Sequence, residues 1–140
     1  MALIADSGAI YALYDSRDRQ HSAVAGTIDK ETGTIIVPAA ILTEIDYLLR
    51  VRIGNRAVSR FLEGIQTGGD VLEPFTAADV KRCQSLLQTY ASLNLGLADA
   101  AVIATADRLG TRHILTVDKR RFRAVRSIAG APFTLLPADS

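Results

Sequence analysis

The stretch ALIADSGAIYALYD, residues 2–15, changes its period partway through. Residues 2–6 are a short apolar run ending on a carboxylate, the pattern of a buried strand. Residues 7–15 take up helix-like apolar spacing at once. A strand that feeds directly into a helix is the first half of a βαβ unit, and the same alternation continues along the chain. RDRQHSAVAGTIDKE (17–31) predicts a second helix, with Asp18 as its N-cap. GTIIVP (33–38) is β-branched and closed by proline, which predicts a strand. A helix over 39–54 ends at Gly54 as its C-cap, and another over 55–67 is stopped by Gly68-Gly69. DVLEPF (70–75) predicts a short strand. The helix over 76–92 starts on a Thr76 cap and carries Val80, Cys83, Leu87 and Tyr90 as an apolar stripe. LGLADAAVIATAD (95–107) is a helix of the kind that packs inside a domain. HILTVD (113–118) and FTLLP (133–137) complete the strands. The fold expected is α/β, one domain over residues 1–140, with a mainly parallel sheet covered on both faces.

Composition narrows the function classes. The chain has 140 residues, 49% of them hydrophobic and 22% charged, with a net charge of +1. No apolar run approaches the roughly 20 residues of a membrane span. The opening MALIAD meets a carboxylate at once, unlike a signal peptide. Cys83 is the only cysteine, which excludes an intrachain disulfide and fits a reducing cytoplasm. It sits on the apolar stripe as a core filler. With His21 and His113 it makes too small a set for a typical zinc site. The neutral balance conceals two basic clusters. One is Arg50, Arg52, Arg56 and Arg60, and the other is Arg112, Lys119, Arg120, Arg121, Arg123 and Arg126. Either alone reads as a solvated face, whereas the two together point to a phosphate-bearing partner.

In a parallel sheet, functional groups collect beyond the carboxyl ends of the strands. Asp6 and Asp118 end two of the predicted strands there. Asp99 stands near the start of an apolar helix, where a carboxylate also suits the positive end of the helix dipole. Asp6 and Asp118 likewise have capping explanations. On the helix over 39–54, Glu44 and Asp46 flank the apolar stripe on opposite edges, and spacing does not choose between them. If these acids meet at one sheet edge, their repulsion calls for a positive partner. With oxygen donors and almost no His or Cys, that partner is Mg2+ or Mn2+. Such an ion activates water and stabilises phosphoryl charge, so the pattern points to phosphodiester hydrolysis.

Four segments, in order, carry a resemblance. IADSGAIYAL, PAAILTEIDYLL, LGLADAAVIATADRLGT and ILTVDKRRF resemble the motifs of the PIN-domain nucleases, in particular the VapC-type toxins of bacterial toxin–antitoxin pairs. The resemblance covers nearly the whole chain. It implies a three-layer α/β/α fold and a Mg2+- or Mn2+-dependent endoribonuclease acting on a structured RNA such as a tRNA or rRNA loop. It further implies a cytoplasmic homodimer restrained by a small cognate antitoxin, with no membrane partner. It selects Glu44 over Asp46 and places Asp6, Glu44, Asp99 and Asp118 around the metal as the catalytic acids. Asp6 and Asp99 are its leading ligands, and Ser7 and Thr116 support the acids or the substrate phosphate. Lys119, Arg120 and Arg121 are the expected phosphate contacts.

Two other classes compete. A receiver-type phosphoacceptor domain wants adjacent acids near its first strand, yet Asp6 has no acidic neighbour and the third acid lies on a helix. A non-catalytic RNA- or protein-binding module gains nothing from carboxylates clustered near phosphate.

Overall fold

The computed structural model describes residues 2–31 and 34–140. Five strands form the sheet: β1 (Leu3–Ala5), β2 (Ile35–Pro38), β3 (Asp70–Glu73), β4 (His113–Leu115) and β5 (Thr134–Leu136). Between them run α1 (Ser7–Tyr14), α2 (His21–Glu31), α3 (Leu42–Arg52), α4 (Asn55–Gln66), α5 (Ala77–Thr89), α6 (Leu97–Leu109) and the single turn α7 (Arg120–Arg123). All strand pairs are parallel and the order is β3-β2-β1-β4-β5.

The chain therefore steps outward from β1 to β3, returns to β4 on the other side of β1, and finishes at β5. Helix α1 packs on α2 and α3, and α3 on α4, while α5 packs on α6. Because the direction of travel reverses after β3, the right-handed crossover rule puts the second group on the opposite face. The crevice between β1 and β4 is the topological switch point, where open α/β sheets bind ligands.

Burial follows from this layering. All three residues of β1 are buried, as are Ile114, Leu115, Leu135 and Leu136. Residues 99–106 of α6 are buried without interruption, as expected of a helix pressed between a sheet and another helix. Alanines at 100, 101, 104 and 106 allow that close approach. Edge strand β3 leaves Val71 and Leu72 exposed.

Several expected boundaries move, each for a local reason. The helix predicted over 17–31 starts at His21. Asp18 instead accepts the Gln20 N–H at 2.8 Å and offers its carbonyl to the His21 N–H at 3.0 Å, so it shapes the preceding turn. The helix predicted over 39–54 opens as a 3-10 turn at Ala39–Ile41. At its end the N–H groups of Ile53 and Gly54 both reach the Leu49 carbonyl at 2.9 Å. Gly54, at φ 144°, then turns the chain into α4. Strand β2 begins at Ile35, and Gly33, the first residue of the predicted strand, lies outside the described residues.

On α5 the buried positions are Asp79, Cys83 and Leu86, and Val80 is half exposed. Of the predicted stripe, Cys83 is buried and Leu87 and Tyr90 pack partly buried against the core, while Val80 yields its place to Asp79, which pairs with Arg108. Burial, with the Asp79 charge beside it, pushes the Cys83 thiol up to about 11, which suits a core filler.

Candidate active site

A cavity of about 470 Å³ opens at the carboxyl ends of β1 and β4 and is lined by Asp6, Glu44, Asp99 and Asp118 together with Arg52 and Arg121. Four carboxylates thus face two guanidinium groups in one space. Each acid arrives on a different element. Asp6 follows β1 directly, and its N–H continues the ladder to the Leu115 carbonyl at 3.0 Å. Its Oδ1 accepts the Ala9 N–H at 2.8 Å, so it caps α1 as well. Its Oδ2 accepts the Thr116 hydroxyl. Thr116 in turn accepts the Asp118 N–H at 3.1 Å, which ties the loop after β4 to β1.

Glu44, in the first turn of α3, accepts the Ser7 hydroxyl from the start of α1. Asp46 is outside the cavity, paired with Arg50 at 3.1 Å along the helix. The two edges that spacing could not separate therefore have different surroundings. Asp99 is the third residue of α6, and its Oδ2 accepts the Gly96 N–H at 3.3 Å. The capping explanation for Asp99 is correct, and it coexists with a place in the cavity.

The basic residues divide. Arg121 turns inward, with Nη1 3.1 Å from Asp99 Oδ2 and Nε 3.2 Å from Asp118 Oδ2. Lys119 and Arg120 stay exposed. Lys119 borders an adjoining cavity of about 270 Å³ with Gln20, Thr116 and Pro137. Arg123 makes a two-pronged pair with Asp139 at 2.8 and 2.9 Å and fastens the C-terminal segment. Arg52 lies over the Tyr11 ring at 5.0 Å, on the cavity wall. Sequence reasoning grouped it with a surface cluster. A usable signal existed, because Glu44, Leu48 and Arg52 all line the cavity at i, i+4 and i+8 of one helix. Neither His21 nor His113 lines it, and His21 Nδ1 is 2.9 Å from the Ala12 carbonyl.

Burial pushes the Asp6 carboxyl up to about 6, and the negative charges of Asp99 and Asp118 add to this. Hydrogen bonds from Thr116 and Ala9 oppose it. A carboxyl raised in the folded state costs stability while charged. That cost is complete above pH 6 and is relieved as pH falls toward the ordinary value of 3.8. At neutral pH and without divalent cations, Asp6→Asn should therefore raise the melting temperature by about 5 °C, corresponding to on the order of 2 kcal/mol. The gap should close between pH 6 and 4. Paired thermal melts in EDTA across that range check it, and a lower melting temperature for the variant at pH 7 refutes it.

The donor set consists of carboxylate oxygens, the ligands of hard cations. Among the described residues no three His, Cys, Asp or Glu side chains form a ready-made cage. Asp6 and Glu44 are held by Thr116 and Ser7, and Arg121 occupies Asp99 and Asp118. An open arrangement of one or two carboxylates with several waters is how Mg2+ is usually bound, so the residues fit such an ion.

Comparison with known proteins gives concordant results. Residues 3–128 match the PIN domain family. The chain is 35% identical over 135 residues to Ribonuclease VapC26 of Mycobacterium tuberculosis, spanning 96% of this chain and 100% of that protein. Among solved structures, M. tuberculosis VapC20, described as a sarcin-ricin loop cleaving toxin, superposes with a TM-score of 0.78 at 18% identity, covering 85% of this chain and 92% of that one. VapBC2 of Rickettsia felis, described as bound to a DNA fragment from its promoter, gives 0.68 at 13% identity, covering 96% and 98%. FitAcB of Neisseria gonorrhoeae gives 0.60 at 17% identity, covering 86% and 90%.

Proposed function

The chain belongs to the PIN-domain family, and on that premise we propose that it is a Mg2+- or Mn2+-dependent endoribonuclease, the toxin of a toxin–antitoxin pair, that cleaves a structured RNA loop in tRNA or rRNA. The observation that carries this reading is the set of four carboxylates and two arginines lining one cavity at the switch point of the sheet. The 35% identity to a protein named a ribonuclease supports RNA as the substrate. A cognate antitoxin, a homodimer and a cytoplasmic location complete the proposal on the family resemblance.

In this reading Asp6 and Asp99 hold the ion, with Glu44 and Asp118 beside them. When bound, it supplies Lewis-acid activation of water and neutralises charge on the phosphate. Thr116 and the Ala9 N–H fix the Asp6 carboxylate before anything binds. Ser7 engages Oε1 of Glu44, which leaves Oε2 to orient the attacking water and accept its proton. Arg52, steadied over Tyr11, contacts the phosphate from the opposite wall. Lys119 and Arg120 extend the phosphate-binding surface outward.

Attack through the RNA's own 2′-hydroxyl commonly uses a histidine base, and neither histidine borders the cavity. Water is the better nucleophile. Its oxygen bonds to phosphorus in line as its proton passes to Glu44, the P–O3′ bond breaks, and the leaving O3′ takes a proton from bulk water. The products are then a 5′-phosphate and a 3′-hydroxyl. Mass spectrometry of fragments made with Mn2+, with EDTA as the blank, tests this, and sequencing of RNA ends after brief expression locates the loop. Cleavage that persists in EDTA, or 2′,3′-cyclic phosphate ends, would overturn the mechanism.

A further inference from the structure

We propose that Arg121 is a built-in counter-cation of the carboxylate cavity, which holds Asp99 and Asp118 when no divalent cation does and competes with such a cation for them. This rests on the reading of the cavity as a divalent-cation site. The geometry has three parts. First, one guanidinium spans two of the four acids, through Nη1 to Asp99 at 3.1 Å and Nε to Asp118 at 3.2 Å. Second, the oxygen it takes on Asp99 is Oδ2, which also accepts the Gly96 N–H at 3.3 Å, so while Arg121 is in place a cation is offered one Asp99 oxygen instead of two. Third, the Arg121 side chain is 60% exposed, whereas that of Asp99 is 12% exposed. The guanidinium therefore reaches in from the solvent side, on a helix of only four residues. It can swing out without disturbing the core, where Phe122 anchors the same turn.

The electrostatics favour such a device. Four clustered carboxylates with no cation nearby would repel one another in the folded chain, and a tethered guanidinium relieves this without a bound ligand. Arginine keeps its charge at any working pH, and its neighbours Asp99, Asp118 and Glu44 reinforce that. The contest with an incoming cation is then set by cation concentration and not by protonation of Arg121. An exposed ion pair is worth little individually, so the barrier to loading is shallow. Two such pairs correspond to a few-fold to about tenfold in cation affinity.

The experiment is a Mn2+ titration followed by electron paramagnetic resonance of the free ion, with the full chain and no RNA. Arg121→Ala should bind Mn2+ about three- to tenfold more tightly than wild type. Arg120→Ala, which removes the neighbouring exposed charge but no contact with the acids, should change affinity less than about twofold. Circular dichroism confirms folding of each variant. Affinity that is unchanged or weaker in Arg121→Ala overturns the proposal, as does an equal gain in Arg120→Ala, which would reduce Arg121 to one charge in a general field. If wild type and Arg121→Ala both fail to bind Mn2+, the cation-site reading fails together with this inference. If wild type binds and Arg121→Ala gains nothing, the inference alone fails.

Discussion

Asp99→Asn should lower RNA cleavage by about 10²–10³-fold, the scale on which a single preorganised charge-stabilising group acts. Asparagine has almost the same volume and keeps an oxygen that can accept the Gly96 N–H, so the first turn of α6 keeps its cap. What disappears is one negative charge on the cavity wall, together with the partner of Arg121. The comparison that isolates charge from position is Asp46→Asn. Asp46 is also an acid beside an apolar stripe, but it pairs with Arg50 outside the cavity and should cleave RNA at the wild-type rate. Both rates can be read from RNA ends sequenced after brief expression, then repeated with the purified target. Near-wild-type cleavage by Asp99→Asn would remove the cavity as the active site.

Arg108→Met should be the most destabilising of the single charge removals, by about 2–3 kcal/mol, or roughly 6–12 °C in melting temperature. Arg108 joins α6 to the end of β3 and the first turn of α5. It contacts Glu73 at 2.6 Å, Asp79 at 2.9 Å and the Pro74 carbonyl at 3.0 Å. Asp79 is buried, and methionine would leave its carboxylate without its counter-charge. Burial raises the Asp79 carboxyl, but hydrogen bonds from Arg108 and Thr76 outweigh it and hold the group below the usual range. A depressed carboxyl contributes stability above its ordinary pKa and loses it as pH falls through the folded value. The gap between wild type and Arg108→Met should therefore be full at pH 7 and shrink below pH 4. Melts at both pH values check it, and a gap that widens in acid would refute the assignment.

The parallel α/β architecture was legible because strand and helix periods alternate cleanly, beginning with the junction at Asp6. The carboxyl-end rule then brought Asp6 and Asp118 to one edge of the sheet. The choice between Glu44 and Asp46 was beyond periodicity. Both flank the same stripe, and only the tertiary contacts separate them: Glu44 meets Ser7 on α1, whereas Asp46 pairs with Arg50 on its own helix. Within the run Lys119 to Arg123, the one local mark on Arg121 is Asp118 three residues before it, while its second partner, Asp99, lies on another helix and is invisible to local reading. On α5 the expected stripe failed at Val80 alone, because the buried neighbour Asp79 is balanced by a cation 29 residues away that local reading does not see.

Asp6 and Thr116, hydrogen-bonded partners, are separated by 110 positions, and β5, which pairs with the far side of β4, comes later still, at Thr134–Leu136. Synthesis proceeds from the N-terminus, and domains generally fold as units. A nascent chain that has released β1 to β3 holds Asp6 and Glu44 but not the loop that orients the first of them. Asp118 and Arg121 emerge only a few residues after Thr116. Three of the four cavity acids, Asp6, Glu44 and Asp99, are therefore made before Thr116, Asp118 and Arg121, the residues that complete the cavity. Until then a ribosome making this protein carries the cavity without the residues that close it and orient Asp6.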